Sequence, residues 1–167
     1  MLQITKIQSF QLVETNEIGE VRKDPESGQL AIFTNRKINA EETVSRFGAR
    51  EEKKAPTYLT VQLDASHHIL IKPLFLQYIN HSCSPNCFFD TTNLTVVALR
   101  DIACEEELSF FYPSSEWDMS QPFVCNCGNA TCLQLINGAS RLNNSTLNNY
   151  QLTNFIQQQV QGKKQAV

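Results

Sequence analysis

The chain has 167 residues, 41% hydrophobic and 19% charged, which is globular composition and suits one domain with a real core. Its formal net charge is −3 and no basic run, Lys163-Lys164 in the tail included, exceeds two residues, which argues against direct nucleic-acid binding and suits a basic peptide partner instead. The opening MLQITKIQSF has neither a basic leader nor a continuous apolar core, and no apolar run approaches a membrane span, so an intracellular protein with no membrane contact is expected.

In chain order, Ile4, Ile7, Phe10 and Leu12 form a weakly patterned opening, and Leu30 to Phe33 is a compact apolar run. The Glu- and Lys-rich stretch Arg46 to Pro56 reads as a solvated excursion or a short surface helix. Tyr58 to Asp64 alternates, with Leu59, Val61 and Leu63 on one face. His68 to Ile71, Cys87 to Phe89, Leu94 to Leu99 and Leu108 to Tyr112 continue the series of short strands, with Asp90 to Asn93 as a hairpin loop. Glu105, Glu106 and Glu107 read as a solvated turn before the last of these strands. Near the end, Leu152, Phe155, Ile156 and Val160 recur at helical spacing, predicting an amphipathic helix, and Gly162 to Val167 are expected to fray. The pattern is mainly β with a terminal helix.

Six cysteines in a reducing compartment point to metal or catalysis before disulfides. Cys125, Cys127 and Cys132 stand in a C-x-C-x4-C pattern beside Gly and Asn, which is unlike a core strand. Structural zinc takes four tetrahedral ligands, so a fourth must come from elsewhere: Cys83 is the candidate, with Cys87 and Cys104 as substitutes on spacing alone.

The stretch Asn80-His81-Ser82-Cys83-Ser84-Pro85-Asn86 resembles the NHSCxPN motif of SET-domain protein lysine methyltransferases. Glu106-Glu107-Leu108-Ser109-Phe110-Phe111-Tyr112 is similar to the family's EELxFDY, and the cysteine cluster, preceded by Phe123, follows in the order of its post-SET segment. Two departures stand out. Gly28-Gln29-Leu30-Ala31 replaces the family's GxG, with Gly28 one place early, and Phe111 stands in place of an acidic residue. Gln77 also replaces an arginine often found before the NHSC segment.

The resemblance implies a SET fold of small curved sheets with a knot-like crossing, divided as a SET domain (1–120), a zinc-binding post-SET segment (121–138) and a C-terminal helical tail (139–167). It implies transfer of a methyl group from S-adenosylmethionine to a lysine amine of a histone-like or other basic protein, by a chain acting as a monomer. Tyr112 would orient the amine, since a phenol with a pKa of ~10 is a poor base at neutral pH. Phe110 would leave room for more than one methyl, and Tyr58 would be either a second wall of the lysine channel or a strand-edge aromatic. Gly28, Leu30, Ala31, Asn80, His81, Tyr112, Phe123 and Leu133 would meet the cofactor. Cys83, Cys125, Cys127 and Cys132 would hold Zn2+ and fold a lid over it. A noncatalytic zinc-containing module of the same fold is the rival reading.

Overall fold

The computed structural model describes residues 10–165, so Ile4 and Ile7 of the expected opening strand, and Ala166 and Val167 of the expected frayed end, lie outside it. The described residues form small sheets and few helices. The first sheet is an antiparallel meander of β1 (Gln11–Thr15), β2 (Gly19–Lys23) and β3 (Leu30–Thr34). Gly19 lets β2 approach β3: a Cβ there would lie 1.9 Å from the Phe33 carbonyl oxygen. Gly28 serves the turn between them instead, with φ 74°, and its N–H donates to the Asp24 carbonyl at 2.9 Å.

Next come β4 (Thr43–Arg46), β5 (Gly48–Lys53), β6 (Thr60–Gln62) and β7 (His68–Lys72). The stretch expected to be a solvated excursion or surface helix is largely β5, paired antiparallel to β7 with a bulge between Ala49 and Glu51. Pairing to an apolar neighbour overrides local preference here. Arg50, Glu51 and Glu52 stay in water, and a charged strand at the edge of the β5-β7-β6 sheet discourages pairing with another chain.

The central sheet contains β8 (Asn80–His81), β9 (Cys87–Asp90), β10 (Thr95–Ala98) and β11 (Ser109–Phe110), in the order β4-β10-β9-β11-β8. The expected loop closes β9 on β10, where Asp90 Oδ1 accepts from the Thr92 and Asn93 N–H groups at 2.9 and 3.1 Å. The late strand β11 lies between β8 and β9, parallel to both. This insertion is the knot-like crossing, and it carries the residues before Tyr112 past Asn80 and His81.

Val21, Ile32, Ile69, Leu76, Phe89 and Leu108 are among the residues of the main core under these sheets. A second core gathers Phe111, Ala139, Leu147, Ile156 and Val160. It joins the end of the sheet region to α1 (Asn144–Leu147) and α2 (Asn154–Gln165). Thr153 caps α2, its Oγ1 accepting from the Ile156 N–H at 3.4 Å, and Ile156 and Val160, one turn apart, bury its apolar face. The helix continues through Gly162 to Gln165, beyond the expected point of fraying, because Lys163 lies over the Trp117 ring at 4.6 Å and donates to the Ser140 carbonyl. A ribbon of β12 (Phe123–Val124) and β13 (Leu135–Ile136) brackets the cysteine segment.

Candidate functional site

The crossing brings two motifs together through hydrogen bonds that leave little freedom. The Ser82 N–H donates to the Phe110 carbonyl at 3.0 Å, and the Tyr112 N–H donates to His81 Nδ1 at 3.3 Å. Burial pushes the His81 imidazole down to about 4, so the ring is neutral at physiological pH. With Nδ1 accepting, its proton sits on Nε2, which meets Cys83 Sγ at 3.4 Å. One imidazole therefore links the backbone of Tyr112 to a sulfur of the cysteine cluster.

Asn80 fixes the other side of the segment. Its Nδ2 donates to the Leu30 carbonyl at 2.9 Å and to Glu107 Oε1 at 3.2 Å. Asn86, just before β9, makes a similar pair of bonds, donating to the Glu107 carbonyl at 2.8 Å and to Glu106 Oε1 at 3.0 Å. The three glutamates are thus not a uniformly solvated turn. Glu105 is exposed and pairs with Arg22, whereas Glu107 is half-buried against Asn80 at the cavity, where burial raises its carboxyl above the usual range.

A cavity of about 710 Å³ opens between these elements. Asn80, His81, Phe110, Tyr112 and Phe123 line it, together with Tyr58 at 69% exposure. Tyr112 begins a short 3-10 turn (Tyr112–Ser114), and its ring lies 4.6 Å from Phe110, 5.3 Å from His81 and 5.9 Å from Phe123 between centroids. Burial above all, with Glu107 adding to it, pushes the Tyr112 phenol up to about 12. A phenol held that high aligns a neighbour rather than taking its proton.

The glycine-region candidates separate. Gln29 lines the cavity, Leu30 reaches the site through its carbonyl, and Ala31 is buried in β3. Gly28 and Leu30 also border a separate shallow hollow beside β1. Leu133 does not line the cavity; its side chain packs between the second core and the cysteines, and its N–H meets Cys83 Sγ at 3.4 Å.

Cys83, Cys125, Cys127 and Cys132 bring four sulfurs within 4.8 Å of one another, with Cys83 and Cys125 at 4.0 Å. Zinc bound at ~2.3 Å by four thiolates in a tetrahedron needs sulfurs ~3.8 Å apart, so this set fits the ion. Burial pushes the thiols of Cys83 and Cys125 up to about 11 and 12, so they ionise readily only beside a cation. The substitutes do not join: Cys87 is buried in β9 and Cys104 is exposed.

The sequence profile of the SET domain matches residues 30–113, half of the chain, and takes in both motifs and the crossing between them. The chain belongs to the SET domain family. It is 42% identical over 113 residues to Methyltransferase flvH of Aspergillus flavus, an alignment covering 66% of this SET protein and 63% of that relative. It is 38% identical over 68 residues to the H3 lysine-4 specific histone-lysine N-methyltransferase of Emericella nidulans, covering 36% of this chain and 6% of the other. The chain thus spans less than two thirds of the length of these relatives. KRYPTONITE, solved with mCHH DNA, an H3(1-15) peptide and SAH, shares the fold over 69% of this chain and 28% of its own, with a TM-score of 0.53 and 22% identity.

The SET cavity also holds residues that sequence reading passed over. Glu116 is 8% exposed, and its Oε1 accepts from the Gln62 N–H at 2.9 Å. Burial pushes this carboxyl up to about 8. Trp117 beside it was the one local signal among Ser and Asp neighbours, and only the fold shows that β6 passes over Glu116.

Proposed function

We propose that this SET domain transfers a methyl group from S-adenosylmethionine to the side-chain amine of a lysine in a histone-like or other basic protein or peptide, with space for more than one methyl. The observation that carries the reading is a single cavity lined by Tyr112, Phe110, Tyr58, Asn80, His81 and Phe123. Among the described residues its lining includes Glu107 and Glu116 but no Lys or Arg, which suits a sulfonium donor and an amine acceptor.

When bound, the cofactor supplies a methyl group already activated for displacement. Asn80 and His81 hold the donor side, their positions fixed by Leu30, Glu107 and the backbone of Tyr112. Phe123 closes over them, 5.6 Å from His81. Tyr112 orients the amine, and the rings of Phe110 and Tyr58 exclude water along its approach. A lysine amine has a pKa of ~10.4 in water, so a dry aromatic passage favours the neutral, nucleophilic form. Phe110 brings no hydroxyl to restrain a partly methylated amine.

Cys83, Cys125, Cys127 and Cys132 would hold one structural Zn2+, tying the segment after Met119 to the motif that carries His81. Part of the metal-binding free energy is then the free energy of folding this roof. The division into a SET domain (1–120), a zinc segment (121–138) and a helical tail (139–167) belongs to the same proposal, as does a monomer working inside the cell. No helix among the described residues is long and apolar enough to cross a membrane.

Incubation with labelled methyl donor and a mixture of basic proteins, followed by mass spectrometry, tests the reading. Label on a lysine is expected. Saturable donor binding without transfer to any protein would favour a noncatalytic module.

A further inference from the structure

Glu116 is unused in the reading above, yet its placement is specific. It closes the turn begun by Tyr112, its N–H donating to the Tyr112 carbonyl at 3.1 Å. Its Oε1 is held by the Gln62 N–H at 2.9 Å and the Ser115 hydroxyl at 3.4 Å. Gln62 is fixed in turn: its Oε1 accepts from the Trp117 N–H at 2.9 Å and its Nε2 donates to the Asp64 carbonyl at 2.9 Å. Among the described residues no hydrogen bond reaches Glu116 Oε2, and the residue lines the main cavity on the side of Thr60 and Val61. One oxygen of this carboxyl is clamped and the other is left to the cavity that Glu116 lines, which gives that oxygen a use.

We propose that Glu116 is the base that takes the proton from the acceptor's ammonium before methyl transfer. The proposal rests on the methyltransferase reading and adds a role for which that reading names no residue. The acceptor enters as R–NH3+ opposite the carboxylate. One proton passes from its nitrogen to Glu116 Oε2, directly or through one water, leaving R–NH2 and a neutral acid. The nitrogen lone pair then forms the bond to the methyl carbon as the carbon–sulfur bond breaks, its electron pair returning to sulfur. The methylated product is again a cation, and the carboxyl proton leaves to solvent after release.

The pH behaviour has few contributors. Among the described residues the other titratable side chains lining the cavity are Tyr58, His81, Glu107, Tyr112, Cys125 and Cys127, and no Lys or Arg joins them. Burial dominates the Glu116 shift, and the two hydrogen bonds to its carboxylate oppose it. An acid that ionises near 8 is a competent base slightly above neutrality.

The test compares wild type with Glu116→Gln, whose amide oxygen still accepts from Gln62. Donor binding by calorimetry checks the fold of each protein, and transfer of labelled methyl to the basic-protein mixture is followed against pH. Wild-type kcat/KM is expected to rise through about pH 8 and level off, whereas the variant rises on toward the amine's own pKa of ~10.4 and is lower by about 10²-fold near neutrality. The difference infrared spectrum should show a protonated carboxyl in wild type that disappears through the same pH range. Equal donor binding with matching pH profiles, or rates within a factor of about three, overturns the proposal. Absence of transfer by wild type overturns the reading beneath it as well.

Discussion

The ring of Phe111 lies flat on Tyr150, with centroids 3.6 Å apart and planes within 7° of parallel. Tyr150 also donates its hydroxyl to the Cys83 carbonyl at 2.9 Å. The phenylalanine that replaces an acidic residue before Tyr112 is therefore the anchor of the second core. The C-terminal segment grips both the end of β11 and the loop that leads to the cysteine cluster.

Phe111→Asp should be severely destabilising, since Phe111 is 2% exposed and a carboxylate there would be buried without a partner. Tyr150→Phe keeps the stack and loses only the bond to Cys83, a loss of about 1 kcal/mol or roughly 2–4 °C in Tm. Thermal unfolding followed by circular dichroism separates the two. An unchanged Tm for Phe111→Asp would show that the stack carries no stability.

Removal of the zinc proposed for the four thiols should disable the roof before the sheets. A strong chelator, or Cys127→Ser, is expected to abolish zinc retention and methyl transfer while the β-sheet signal persists. Metal analysis, transfer assays and circular dichroism on one sample check this. Loss of sheet structure in step with zinc would mean that the cluster supports the main core.

Tyr112→Phe should keep donor binding within a few-fold and lower transfer by about 10²-fold, because alignment rather than affinity is lost. Phe110→Tyr should shift products toward the singly methylated lysine, read from the masses of the modified peptide. Its ring packs 4.4 Å from Phe89 and 4.6 Å from Tyr112, so an added hydroxyl would meet the acceptor's end of the cavity. An unaltered product distribution would remove Phe110 from the control of methyl number.

The Glu116 carboxyl, raised from 4.5 to about 8, also makes stability depend on pH. Between these values the folded chain keeps a proton that the unfolded chain has released, so stability falls as pH rises through that window. Glu116→Gln should flatten this decline and gain Tm over wild type toward pH 8 and above. Parallel melting curves for the two proteins would mean that the carboxyl is not held in its acid form.

Residue identity and spacing made much of this legible. NHSCSPN, EELSFFY and CNCGNATC carry their own chemistry, and alternation or apolar runs marked β3, β6, β7, β9, β10 and β11 but not β2, β4, β8, β12 or β13. The stretch Gly48–Lys53 was missed because its side chains are those of a solvated surface and only pairing with β7 makes it a strand. Glu107 was read as solvent-facing because the Asn80 side chain and the cavity that cover it come from a segment far away in the chain.

The sequence by itself determined which groups are available: an aromatic pair beside a tyrosine, a histidine and six thiols, three of them clustered. Tertiary structure alone decided which of them meet. The insertion of β11 between β8 and β9 puts His81 between Tyr112 and Cys83, and the passage of β6 over Glu116 buries a carboxylate against the same cavity. Both outcomes depend on contacts between segments far apart along the chain, and no local periodicity encodes the dielectric or the partners that such contacts create.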